Sequence, residues 1–166
     1  MEQEIRIAVR SLVEFILRSG DIDNRRGTMA DKDAMQMGSR LHRKIQGRMG
    51  AAYQAEVYLS DTFPCGAFSL TVEGRADGII REDEGTVVDE IKGVLRELEY
   101  VEEPVPVHLA QAKCYAYLYA RKQGLEEMGV QMTYCHLETE EIRRFRQEYT
   151  TEELREWFYG ITDAYE

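Results

Sequence analysis

The apolar positions change their period along the chain. Ile5, Val9, Leu12, Val13 and Ile16 fall on one helical face, which predicts an opening helix ending near Ser19-Gly20. Asp21 to Asp33 is polar and holds Arg25-Arg26-Gly27, so it reads as a loop. Met37, Leu41 and Ile45 return to helical spacing and predict a second helix over about Ala34 to Gln46. Strand patterns follow. Ala55 to Leu59 reads as a short strand. Phe68 to Val72 and Ala76 to Ile80 read as one long bent strand with Gly74 at the bend, and Thr86 to Lys92 as its hairpin partner. These runs form an antiparallel meander.

Pro104 and Pro106 mark the start of a third helix, Val107 to Gln123, which stops before Gly124. Val130 to Leu137 is a further strand. Thr150 or Thr151 with Glu153 opens a last helix that runs to the chain end. The predicted order is helix, helix, three strands, helix, strand, helix. That is an α/β fold with a central mixed β-sheet flanked by helices.

Composition narrows the function. A chain of 166 residues with 43% hydrophobic residues fits one domain with a full core. The net charge of -10 argues against a surface made for indiscriminate nucleic-acid binding. A local basic groove remains open to it. Cys65, Cys114 and Cys135 are dispersed with no CxxC pair, which speaks against a zinc knuckle or iron–sulfur cluster and suits a reducing cytoplasm. Charged residues interrupt every apolar run near the start, and no stretch approaches the roughly 18 apolar residues of a membrane span.

The chemistry concentrates in Gly74-Arg75-Ala76-Asp77-Gly78 and Asp89-Glu90-Ile91-Lys92-Gly93. Side chains alternate along a strand, so Glu90 and Lys92 share a face and Asp89 lies on the other with Val87 and Ile91. A short turn joins the two strands, which brings Asp77 towards Glu90. Two carboxylates held close repel each other, and a divalent cation with a preference for oxygen relieves the repulsion. The bland alternative for the same residues is a surface hairpin with a solvated Glu–Lys pair.

Two further motifs lie outside this hairpin: Gly38-Ser39-Arg40-Leu41-His42 on the second helix and Gln111-Ala112-Lys113-Cys114-Tyr115 on the third. The set of Gly-x-x-x-His, Gly-x-x-Asp, acid-x-Lys and Gln-x-x-x-Tyr, in that order over about residues 38 to 115, resembles the RecB-like branch of the PD-(D/E)XK nuclease superfamily. The resemblance implies a restriction-endonuclease-like fold and a single nuclease domain over 1–166, with the N-terminal part of a longer helicase–nuclease protein as the extended reading. It implies a Mg2+- or Mn2+-dependent deoxyribonuclease, exonuclease-like, leaving 5′-phosphates in DNA repair or recombination. Asp77, Glu90 and Lys92 would be catalytic. His42, Asp77, Glu90 and the Ile91 carbonyl would hold the metal. Gln111 and Tyr115, four apart on one helical face, would contact DNA and the active-site shell; the plain alternative is that Tyr115 packs on the sheet with Leu118 and Tyr119.

The chain departs from several RecB-like nucleases in lacking their four cluster cysteines. Glu56 resembles an acid often found on the first strand of that family. Arg40, Arg43, Lys44 and Arg48, around His42 on the second helix, form the candidate DNA track, because phosphate contacts supply affinity without reading sequence. Arg143, Arg144 and Arg146 form a second basic cluster, read as a solvated face. The other function class is a nuclease-like docking module for DNA or a helicase partner. The chain has no GxxxxGK[ST] loop and so is not itself such a motor.

Overall fold

The computed structural model describes residues 3–17, 40–95 and 97–165. Gly38, Ser39, the Arg25-Arg26 loop, the start of the second helix and the Ser19-Gly20 end of the first lie outside the described residues. The elements are β1 (Gln3–Ala8), α1 (Val9–Leu17), α2 (described over 40–48), β2 (Tyr53–Cys65), β3 (Phe68–Glu82), β4 (Gly85–Val94), a 3-10 turn (Leu98–Tyr100), α3 (Pro106–Gln123), β5 (Glu127–His136), β6 (Ile142–Thr150) and α4 (Thr151–Tyr165).

The strands form one mixed sheet. β1 runs parallel to β3 and β4 parallel to β5, while β2–β3, β3–β4 and β5–β6 are antiparallel. Helices cover both faces. The main core joins Leu12 and Val13 of α1, Ala112 and Tyr117 of α3 and Phe158 of α4 to Val88, Val130 and Met132 of the sheet. A smaller cluster on the other face packs Leu41 and Ile45 of α2 against Ile91 and Cys135. This is the mixed α/β architecture that the pattern predicts. No helix among the described residues is long and apolar enough to cross a membrane.

Three predicted elements change. The chain opens on a strand rather than a helix: Ile5 and Ile7, two residues apart, both pack on the main core, and the helix starts at Val9. β2 continues beyond Leu59 to Cys65, through Pro64. Among the described residues β2 pairs only with β3, so its outer edge carries no described ladder and a missing N–H is tolerated there. β6 is a strand that the sequence pattern hides, because its IRRFRQEYT run has no clean alternation. Among the described residues it pairs only with β5, and charged side chains are common on such edge strands.

The helix ends follow local chemistry. Pro106 occupies the first turn of α3, where its missing N–H costs nothing. Gly124 closes that helix at φ 68°, a conformation glycine adopts without strain. Thr150 and Glu153 form a reciprocal cap on α4: Glu153 N–H donates to Thr150 Oγ1 at 3.0 Å, and Thr150 N–H donates to Glu153 Oε1 at 2.8 Å.

Candidate active site

The site lies at an interruption in the β3 ladder. β2 covers one edge of β3 from Cys65↔Phe68 to Tyr53↔Ile80. The other edge is shared: β1 takes 68–73 and β4 takes 78–82. Between them, residues 74–77 pair with neither strand. Those residues are Gly74-Arg75-Ala76-Asp77, the Gly-x-x-Asp motif.

The strand also changes its facing here. Leu70 and Val72 above the interruption, Ala76 within it and Ile79 below it all belong to the main core. Three even positions and one odd one cannot share a face of a regular strand. On β2, Glu56 stands opposite Asp77 in register and holds φ at 56°, the left-handed region that a non-glycine residue seldom occupies. Such a conformation costs about 1–3 kcal/mol and persists only where its surroundings enforce it.

Side chains replace the missing ladder bonds, because buried backbone groups need partners. Asp77 N–H donates to Glu90 Oε1 at 3.2 Å, and Ile91 N–H donates to Asp77 Oδ2 at 2.7 Å. Continuing the Gly78↔Asp89 register by one step sets Asp77 opposite Glu90 on the same face. Glu90 is 4% exposed. Burial and the nearby Asp77 push its carboxyl well above the usual range, while Lys92 and the Asp77 N–H pull it back. Burial likewise raises Asp77, opposed by His42, the Ile91 N–H and Lys92. Lys92, half-buried, thus acts electrostatically on both acids.

α2 approaches from the opposite face. His42 Nδ1 lies 3.6 Å from Asp77 Oδ1. Gln46, one turn further along, donates from Nε2 to the Asp77 carbonyl and to Glu56 Oε2, both at 2.8 Å. Gln46 thereby ties the helix that carries His42 to the irregular pair Glu56 and Asp77. The sequence reading missed it, although a position four residues after His42 lies on the same helical face.

Asp89, which alternation sets aside, is fully buried on the other face. It accepts hydrogen bonds from Tyr53 Oη at 2.9 Å, Gln131 Nε2 at 3.1 Å and Thr133 Oγ1 at 2.6 Å. Tyr53 reaches it by crossing Gly78, where a Cβ would stand 2.0 Å from the tyrosine ring. This clamp links β2, β3, β4 and β5 beside the site.

Tyr115 and Gly74 meet directly. A Cβ on Gly74 would lie 2.5 Å from the Tyr115 hydroxyl, so only glycine leaves room for the ring. Gln111 and Tyr115 are each 6% exposed, and Glu90 and Asp77 act electrostatically on the Tyr115 hydroxyl. Arg40, Arg43 and Lys44 are exposed on α2. The second basic cluster is more committed than a solvated face would be. Arg143 donates to the Leu98 carbonyl, and Arg146 bonds Gln131 and Glu82.

The donor chemistry fits a hard divalent cation: two adjacent carboxylates raised by burial, with an imidazole beside them. Among the described residues, however, no three histidine, cysteine or carboxylate side chains converge into a finished cage. Ile91 enters the site through its N–H, which Asp77 binds.

No protein-family model matches the chain, nor does any curated protein. Its backbone does resemble solved structures. The crystal structure of SSO0001 aligns with TM-score 0.62 and 20% identity, over 94% of this chain and 75% of that one. The chain has the fold of SSO0001. A phage-related exonuclease from Haemophilus somnus 129PT aligns at TM-score 0.48 and 10% identity, over 94% of this chain and 76% of its own. An alkaline exonuclease from Laribacter hongkongensis aligns at TM-score 0.43 and 12% identity, over 96% and 88%. What is shared with SSO0001 at this identity is the architecture. The functional reading therefore rests on the residues of this chain.

Proposed function

We propose that the chain is a metal-dependent deoxyribonuclease with a RecB-like PD-(D/E)XK centre. It would hydrolyse phosphodiester bonds to leave 5′-phosphates, in an exonuclease-like manner and in repair or recombination. The observation that carries this reading is the Asp77–Glu90 pair at the gap in β3, with Lys92 acting on both acids.

Asp77 and Glu90 would hold Mg2+ or Mn2+, with His42 and the Ile91 carbonyl completing the set. Bound there, the cation would supply Lewis acidity towards the scissile phosphate and its attacking water. The protein's own contributions are distinct. The Ile91 N–H fixes the Asp77 carboxylate, so the acid is oriented before any ligand arrives. Gln46 fixes the height of α2 and hence the place of His42. Lys92 Nζ would offset phosphate charge and orient the water, taking its proton when the amine is neutral. Tyr115 is seated on Gly74 at the gap.

The test is cleavage of linear single- and double-stranded DNA with Mg2+ or Mn2+ by wild type, Asp77→Ala and Lys92→Ala. Turnover by wild type and at least a hundredfold loss in both variants is expected, in the range typical of lost catalytic groups. Equal rates in all three would refute the assignment.

One observation favours a second reading, a nuclease-like module that docks DNA or a helicase partner without cutting. The three expected ligand side chains do not yet form a cage. DNA binding with no cleavage under any divalent cation would select it.

A further inference from the structure

Outside the acid pair, a group of charges gathers where α2 meets the β5–β6 turn. Arg40, Lys44 and Arg48 recur every four residues and form one stripe along α2. Arg144 of β6 joins them, since its guanidinium reaches Met49 Sδ at 4.0 Å just past the helix. Lys44, Arg48, Arg144 and Glu140 all act electrostatically on the Cys135 thiol, which places them around one point. A recess of about 340 Å3, lined by Arg40, Leu41, Lys44, Leu137 and Glu140, opens between the helix and the turn. In a chain of net charge -10, four cations gathered from two elements are a departure from the background.

One anion sits among them. Lys44 Nζ donates to both oxygens of Glu140, at 2.8 Å and 3.0 Å, and Arg48 stands 3.8 Å from Oε1. Glu140 occupies the turn with φ at 64°, a left-handed conformation for a residue with a side chain. A carboxylate held by a lysine and faced by an arginine has the charge and the oxygen geometry of a phosphate diester in the same place. Exposed ion pairs of this kind are weak enough to exchange for a stronger anion. By contrast, Arg146 is spent on Gln131 and Glu82, and Arg143 on the Leu98 carbonyl.

We propose that Arg40, Lys44, Arg48 and Arg144 form a docking strip for a nucleic-acid phosphate backbone, in which Glu140 holds the place of a phosphate in the free protein. The proposal deepens the nuclease reading by naming the path of the strand. That path runs along the flank of α2 opposite His42, the residue that the same helix brings to Asp77. A backbone entering the strip displaces Glu140 and releases counterions, so binding falls with salt in proportion to the cations engaged.

Binding can be read without turnover, using a fluorescein-labelled 20-base-pair duplex and the matching single strand in chelator over a salt series. Glu140→Gln should tighten binding about two- to fivefold, as expected for removing one competing surface charge. Lys44→Ala and Arg144→Ala should each flatten the log K against log salt slope by about 0.9. Arg146→Ala should leave the slope unchanged. Equal or weaker binding by Glu140→Gln, or an unchanged slope in Lys44→Ala and Arg144→Ala, would overturn the strip. A protein that binds as described but never cleaves DNA would support the strip and refute the nuclease reading.

Discussion

Asp77 stands opposite Glu90 one step past the last backbone pair between β3 and β4, and its N–H donates to Glu90 Oε1 at 3.2 Å. The same break that removes ladder hydrogen bonds from β3 therefore supplies the two acids with backbone donors. It also brings two buried carboxylates together, which costs stability unless a proton or a cation intervenes. The site is thus a place where the fold carries strain that a ligand can relieve.

Glu90→Gln should stabilise the metal-free protein at neutral pH, by about 1.4 kcal/mol for each pKa unit that burial and Asp77 add to the wild-type acid. The amide oxygen can still accept the Asp77 N–H. Because the folded-state pKa of Glu90 is raised, wild type is relieved of its penalty below the unfolded glutamate range and incurs it as pH rises through the folded value. The gain from the substitution should accordingly shrink towards acid. Urea denaturation in chelator at several pH values measures it, and a loss of stability at neutral pH would count against a strained acid pair.

His108 gives the opposite sign. It lies on α3 with Nδ1 3.1 Å from the Tyr134 hydroxyl, and burial, with Lys92 and Arg10, lowers its pKa to about 4. A depressed histidine stabilises the fold fully above its unfolded pKa of about 6.5, and that contribution is lost as pH falls towards the folded value. His108→Asn should lose less stability than wild type between about pH 6.5 and 4. The difference has a ceiling of about 3 kcal/mol from the size of the shift. Parallel pH–stability curves for the two proteins would contradict a buried neutral histidine.

Gly74 and Tyr115 should behave as one unit. Gly74→Ala forces its new methyl against the tyrosine and should cost about 1–3 kcal/mol, the usual penalty of overpacking. Combining it with Tyr115→Leu should give a loss smaller than the sum of the two single losses, since residues in contact couple. Additive losses in a double-mutant cycle would mean that the ring does not rest on Gly74.

Much of this was legible in the sequence, and the failures have physical causes. The Glu90 choice followed from strand period alone, and α3 and α4 were marked by Pro106, Gly124 and the Thr150–Glu153 cap. β1 was hidden because Ile5, Val9 and Leu12 satisfy a helical spacing as well as Ile5 and Ile7 satisfy a strand. β3 was legible as one long bent strand, but its inward-facing positions change parity between Ala76 and Ile79, which a regular period does not encode. Gly74 was expected at a bend but serves to admit Tyr115, a contact between elements that periodicity does not encode. Gln46 and the Asp89 clamp were missed for the same reason: their partners, Glu56, Asp77, Tyr53, Gln131 and Thr133, come together only in the folded sheet.

The central claim, that Asp77 and Glu90 are paired to hold a cation, is tested most directly by calorimetric titration of Mn2+ into wild type, Asp77→Ala and Glu90→Ala. The expected result is saturable binding by wild type that is lost in both variants. No binding by wild type, or binding unchanged by Asp77→Ala, would contradict it.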